Sequence, residues 1–127
     1  GTETVLLAED DAVVRGYLAT VLRDFGYTVL EAADGEEAIK MFSVQPDRVE
    51  LLITDIIMPN RSGRDLYDTA RAIRKDLRVI FMSGYTADVL QKKGAFKEGL
   101  QFLAKPINPA DFLRTVRSVL DHGALPA

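Results

Sequence analysis

The sequence predicts an α/β fold: a doubly wound sheet of five parallel strands with helices on both faces. Three observations predict it. Aliphatic stretches of strand length alternate strictly with segments whose apolar residues recur every three or four positions. The first, third and fourth of these stretches are almost unbroken in their aliphatic character, as strands covered on both faces are. The chain has 127 residues, 47% hydrophobic and 28% charged, which suits one domain with a single well-formed core.

Thr4–Ala8 is the first strand. Val14, Tyr17, Leu18, Val21, Leu22 and Phe25 then recur as one face of a helix. Gly26 closes that helix, since glycine accepts the left-handed backbone of a helix end. Tyr27–Ala32 reads as the second strand, and Asp34 caps a helix that turns Ala38, Met41 and Phe42 inward. Val49–Thr54 is the third strand. The loop Met58-Pro59-Asn60-Arg61-Ser62-Gly63 follows, and then a helix with Leu66, Ala70 and Ile73 inside. Val79–Met82 is the fourth strand and Thr86–Lys93 a less regular helical stretch. Leu100–Ala104 is the fifth strand. Pro109 suits the first turn of a last helix with Phe112, Val116, Val119 and Leu120 on its inner face.

Composition removes several classes of function. Without cysteine there is no disulfide, thiolate metal site or thiol nucleophile, and a reducing cytoplasm is the expected location. His122 is the only histidine and belongs to a helix end near the C-terminus, so Ser–His and Cys–His hydrolysis are excluded. A net charge of -3 gives no electrostatic reason to bind nucleic acid or an anionic membrane. No apolar run approaches the ~20 residues of a membrane span. The start lacks the basic-then-apolar order of a secretory signal. No repeat or interior linker divides the chain, so residues 1–127 are expected to form one domain, with residues 1–3 and 123–127 as linker or tag remnants.

Open parallel sheets place functional groups just beyond the carboxyl ends of their strands. There this sequence puts Glu9, Asp10 and Asp11 after the first strand and Asp55 after the third. Ser83-Gly84 follows the fourth strand and Lys105-Pro106 the fifth. If the first and third strands are neighbours, three or four carboxylates crowd one end of the sheet. Their repulsion calls for a cation. Oxygen donors without His or Cys select Mg2+ (or Mn2+) over zinc or copper. Asp55 is central enough to attack phosphorus and form an acyl phosphate. Lys105 supplies charge neutralisation, Ser83 a hydrogen bond to a phosphoryl oxygen, and Gly84 open access. Singly these features are ordinary, since acid runs cap helices, Ser-Gly and Lys-Pro form loops, and a strand Phe102 belongs to a core. Their order at successive strand ends makes the set a magnesium-assisted phosphate site.

In these residues the sequence resembles the response-regulator receiver domain of two-component signalling, over nearly the whole chain. The family's paired acids match Glu9 and Asp10 in Leu6-Leu7-Ala8-Glu9-Asp10-Asp11, and its phosphoacceptor matches Asp55 in Asp55-Ile56-Ile57-Met58-Pro59. Its hydroxyl residue matches Ser83 in Phe81-Met82-Ser83-Gly84-Tyr85, and its lysine matches Lys105 in Phe102-Leu103-Ala104-Lys105-Pro106. The resemblance implies a flavodoxin-like (βα)5 sheet of order 2-1-3-4-5 and a cis bond before Pro106. It also implies magnesium ligation by Glu9, Asp10, Asp55 and the Ile57 carbonyl, and a switch pair of Ser83 and Phe102. Phosphorylation of Asp55 would draw Ser83 inward, let Phe102 turn, and shift the surface of the fourth helix, fifth strand and last helix. The departures are Glu for the first Asp, Ser for Thr, Phe for Tyr, and Arg61 where family members often carry an apolar residue.

The implied donor is a phosphohistidine on a histidine kinase or histidine phosphotransfer domain. The domain itself is expected to touch neither nucleic acid nor membrane, as a monomer or a weak phosphorylation-dependent dimer. It would catalyse its own phosphorylation and dephosphorylation without being a conventional enzyme. Ile57 and Tyr85, two residues past the acceptor and the hydroxyl, offer apolar bulk against attacking water. The motifs look like those of receivers fused behind sensor histidine kinases, and the missing initiator methionine agrees with excision from such a chain. A stand-alone or DNA-binding regulator is the alternative. An FMN binder with the same strand order needs a Gly/Ser/Thr-rich cradle where this chain has three carboxylates. A Mg-dependent aspartyl-phosphate phosphatase needs a second Asp at the position of Ile57, which cannot move a proton.

Overall fold

The computed structural model describes residues 1–84 and 101–122. Strands β1 (Thr4–Ala8), β2 (Thr28–Ala32), β3 (Leu51–Asp55), β4 (Arg78–Ser83) and β5 (Gln101–Ala104) form one sheet. All pairings are parallel, as expected for the doubly wound class, and the order is β2-β1-β3-β4-β5, as the resemblance implies. Helices α1 (Ala12–Asp24), α2 (Gly35–Val44), α3 (Gly63–Ile73) and α4 (Pro109–His122) complete the described residues. The helical stretch expected over Thr86–Lys93, together with Tyr85 and Leu100, lies outside them. No helix among the described residues is long and apolar enough to cross a membrane.

The aliphatic strands are unbroken because both of their faces are buried. In β1 and β3 successive side chains point to opposite sides. Val5, Leu7, Leu51 and Ile53 pack with Leu18 and Leu22 of α1 and Phe112 and Val116 of α4. Leu6, Ala8 and Leu52 face the other way, onto Phe42 of α2 and Leu66 of α3. Each fully buried side chain of this size contributes roughly 1.5–3 kcal/mol.

Helix starts are fixed by side chains. Asp11 Oδ1 accepts from the Val13 and Val14 amides at 2.9 and 3.2 Å, Asp34 Oδ1 from Glu37 at 2.8 Å, and Ser62 Oγ from Asp65 at 3.1 Å. Asn108 Oδ1 does the same for Ala110 and Asp111, one residue before Pro109. Gly26, at φ 93°, ends α1 as expected.

Three apolar residues expected to face inward do not. Tyr17 is 49% exposed because the buried stripe of α1 is narrower than its periodicity, carried by Leu18, Ala19 and Leu22. Phe25, 59% exposed, follows the last turn of α1, where the chain swings out through Gly26. Ile73, the last residue of α3, is 47% exposed. The third strand runs from Leu51 to Asp55, not Val49 to Thr54, because its register opens at Val5↔Leu51 and extends to Asp55↔Met82. Asp55 therefore belongs to the sheet itself.

Candidate functional site

Adjacent strands β1 and β3 pair for the last time at Ala8 opposite Thr54. The next residues put Glu9, fully buried, beside Asp55, which is 9% exposed. Carboxylate oxygens of Glu9, Asp10 and Asp55 lie within 4.8 Å of one another. From β5's end, the Lys105 amide donates to the Ser83 carbonyl at 2.8 Å, and the Lys105–Pro106 bond is cis, as expected. Lys105 Nζ then reaches both acids, donating to Glu9 Oε1 at 2.5 Å and to Asp55 Oδ2 at 2.7 Å. Glu9, Asp10, Asp55 and Lys105 thus meet in one pocket. Ser83 is buried at the end of β4, next to this group in the sheet. The Ile57 side chain is 68% exposed, and half-buried Phe102 stacks on Phe81 with ring centroids 5.5 Å apart.

The expected crowd of acids is smaller than the sequence suggests. Asp11 turns away to cap α1, so Glu9 and Asp10 alone represent the first strand end. A run of three acids serves two purposes, and only the helix start that follows decides where the run divides. Sequence reasoning missed Arg15, whose Nη1 donates to the Glu9 carbonyl at 2.7 Å while its Nε lies 3.6 Å from Glu31. It also missed Thr54, whose Oγ1 donates to the Asp55 carbonyl at 2.9 Å. No pattern in a single sequence marks either contact.

Burial pushes the Glu9 carboxyl up to about 7, the Lys105 hydrogen bond opposes this, and the Asp55 charge adds to it. Burial works against the Lys105 ammonium, but its hydrogen bonds to Asp55 and Glu9 raise it above the ordinary lysine value. The pocket is therefore short of positive charge. Its donors are oxygen only, three carboxylates converge, and the buried Glu9 carboxyl stays raised even with the Lys105 ammonium beside it. These residues fit a hard divalent ion such as Mg2+.

Residues 5–117 match the family model of the response regulator receiver domain. The chain belongs to that family. Among its relatives, the receiver is 34% identical over 121 residues to the sensor kinase CckA of Brucella abortus, covering 95% of this chain and 13% of that protein. It is 32% identical over 116 residues to the response regulator receiver protein CpdR of the same organism, covering 91% of this chain and 95% of that one. Among solved structures, the receiver domain of the hybrid histidine kinase CckA superposes with a TM-score of 0.79 at 38% identity, covering 92% of this chain and 98% of that one. The receiver spans about an eighth of the curated sensor kinase and nearly the whole of CpdR.

Proposed function

We propose that this receiver, as one module over residues 1–127, accepts a phosphoryl group on Asp55 from a phosphohistidine. The carrying observation is the convergence of Glu9, Asp10 and Lys105 on Asp55 at the open end of the sheet. A carboxylate oxygen of Asp55 forms the new bond to phosphorus as the phosphorus–nitrogen bond breaks, and the electron pair returns to the imidazole nitrogen. Lys105, held through the Ser83 carbonyl, stands where phosphoryl charge develops. Ser83 donates to a phosphoryl oxygen, and Phe102 follows its movement. Glu9, Asp10, Asp55 and the Ile57 carbonyl would hold Mg2+ (or Mn2+), which would supply neutralisation of charge on the transferring group.

Next to Lys105, between α1 and the start of α4, lies a groove of about 550 Å³ lined by Val13, Tyr17, Pro106 and Ile107. Val13 is 82% exposed and Tyr17 49%. This apolar rim beside the acceptor supports docking of a histidine kinase or phosphotransfer helix, whose histidine then reaches Asp55. The likeness to the CckA receiver supports an origin behind a sensor kinase, and the likeness to CpdR supports a stand-alone regulator. We favour the first, with the domain facing the cytoplasm.

Mass spectrometry after incubation with acetyl phosphate and Mg2+ tests this reading. The wild type gains one phosphoryl mass and Asp55→Ala gains none. Equal labelling of both proteins, or undiminished labelling of the wild type in EDTA, overturns it.

A further inference from the structure

Arg61 is the departure from the family pattern that the proposed function leaves unused. It stands in the loop between β3 and α3, the same loop that carries Ile57. At its base this loop is tied closely. The Gly63 amide donates to the Ile56 carbonyl at 2.7 Å, and a Cβ on Gly63 would collide with the Asp55 carbonyl oxygen. Met58 is buried just beyond. Between these anchors the Ile57 side chain is 68% exposed, so packing of that side chain does not fix the orientation of its peptide.

The tip of the loop is held by polar contacts to two helices. Arg61 Nε donates to Glu36 Oε2 at 3.2 Å in the first turn of α2, and Arg61 Nη1 donates to Thr69 Oγ1 at 3.1 Å on α3. Asn60, at φ 68°, donates through Nδ2 to Asp34 Oδ2 at 2.8 Å. A Cβ on Gly35 would overlap the Arg61 carbonyl, so glycine there lets α2 press directly on the loop. Arg61 is a planar fork with donors in fixed directions, so one side chain can bind a carboxylate and a hydroxyl on different elements. An apolar side chain at this position could pack, but it could not join α2 to α3 by hydrogen bonds.

We infer that Arg61 is a positioning residue: by bridging Glu36 on α2 to Thr69 on α3 it holds the loop so that the Ile57 carbonyl and Asp55 meet the divalent ion in fixed geometry. The inference rests on the metal reading given above. Its specific content is that metal affinity depends on three side chains that touch neither the ion nor the phosphoryl group. A part-exposed ion pair with one hydrogen bond to a neutral hydroxyl is a small effect, so the expected loss is about fivefold in affinity.

Mn2+ binding followed by electron paramagnetic resonance, with Mg2+ as competitor, reads this directly, and urea unfolding in EDTA reads stability separately. Arg61→Ala is expected to weaken Mn2+ binding about fivefold and to slow labelling by acetyl phosphate at subsaturating Mg2+, with recovery at saturating Mg2+. Thr69→Val, which removes a single hydrogen bond, is expected to weaken it about twofold and stands in if Arg61→Ala does not fold. The exchange Arg61→Glu with Glu36→Arg restores affinity relative to Arg61→Glu alone. Affinity unchanged within error in Arg61→Ala and Thr69→Val overturns the positioning role while leaving the metal reading intact. So does a weakening that only follows lost stability. Wild-type protein that binds Mn2+ no better than Asp55→Asn overturns the metal reading, and this inference with it.

Discussion

Replacing Glu9 by glutamine in metal-free protein isolates the electrostatic cost of assembling this pocket. Glu9 is fully buried, and burial lifts its carboxyl from the ordinary 4.5 to about 7 even with Lys105 hydrogen-bonded to it. Below the ordinary value the group is neutral in both folded and unfolded chains, and no cost arises. As pH climbs from 4.5 toward 7 the unfolded chain gives up the proton while the folded one keeps it, so stability falls over that window. Above pH 7 the cost is complete, and at ~1.36 kcal/mol per pH unit it amounts to about 3 kcal/mol. Glu9→Gln removes it. In EDTA the variant should be more stable than wild type by about 2–3 kcal/mol at pH about 8, with almost no difference at pH about 4.5. Urea unfolding followed by circular dichroism reads this as a midpoint increase of roughly 1–2 M. On the metal reading proposed above, Mg2+ at a hundredfold excess over its Kd should stabilise the wild type by about 2.7 kcal/mol and close the gap, since the variant would lack the proposed Glu9 ligand. A variant that gains nothing at the higher pH, or gains equally at every pH, would refute the reasoning.

Other perturbations probe the rest of the molecule. The Arg117 hydrogen bond holds the Glu3 carboxyl down at about 2, so its contribution is present above the ordinary 4.5 and is lost as pH falls toward 2. Arg117 is 39% exposed, which limits the pair to about 1 kcal/mol; Glu3→Gln should lower the urea midpoint near neutrality, with the deficit shrinking in acid. Ile57→Asn exchanges the exposed apolar side chain two residues past Asp55 for a polar one, and on the proposed mechanism the phosphorylated half-life, followed by mass spectrometry, should shorten roughly threefold or more. No shortening counts against a shielding role. Phe102→Ala removes the ring stacked on Phe81 and should leave labelling of Asp55 by acetyl phosphate within about twofold. Hydrogen exchange should then show a smaller phosphorylation-dependent change over β5 and α4, and a change equal to wild type would break the proposed coupling.

Much of this architecture is legible in the chain because its signals are local. A strand buried on both faces requires an unbroken aliphatic run, as in Leu51-Leu52-Ile53. A helix requires its three-and-four spacing, and a cap requires an acid or amide before it, as at Asp34. Chemistry at the strand ends follows once alternation dictates a parallel sheet, since every strand then ends on the same side. That step points to Glu9, Asp10, Asp55, Ser83 and Lys105 before any distance is known. Less legible were the strand limits, because register depends on the neighbouring strand: Asp55 is the last residue of β3 and pairs with Met82. Tyr17, Phe25 and Ile73 carry the same apolar signal as their buried neighbours, yet whether they lie inside depends on the width of the contact and on where the chain leaves the helix.

The sequence by itself determined the fold class and the inventory of groups at the sheet's open end, because hydrophobic periodicity and residue chemistry are written position by position. Tertiary structure alone decided which acids share the pocket and that Lys105 binds Glu9 across 96 positions as well as Asp55 across 50. It also decided that Arg61 joins two helices. Such contacts depend on the angles at which whole elements pack, and no short stretch of chain encodes an angle set by its neighbours.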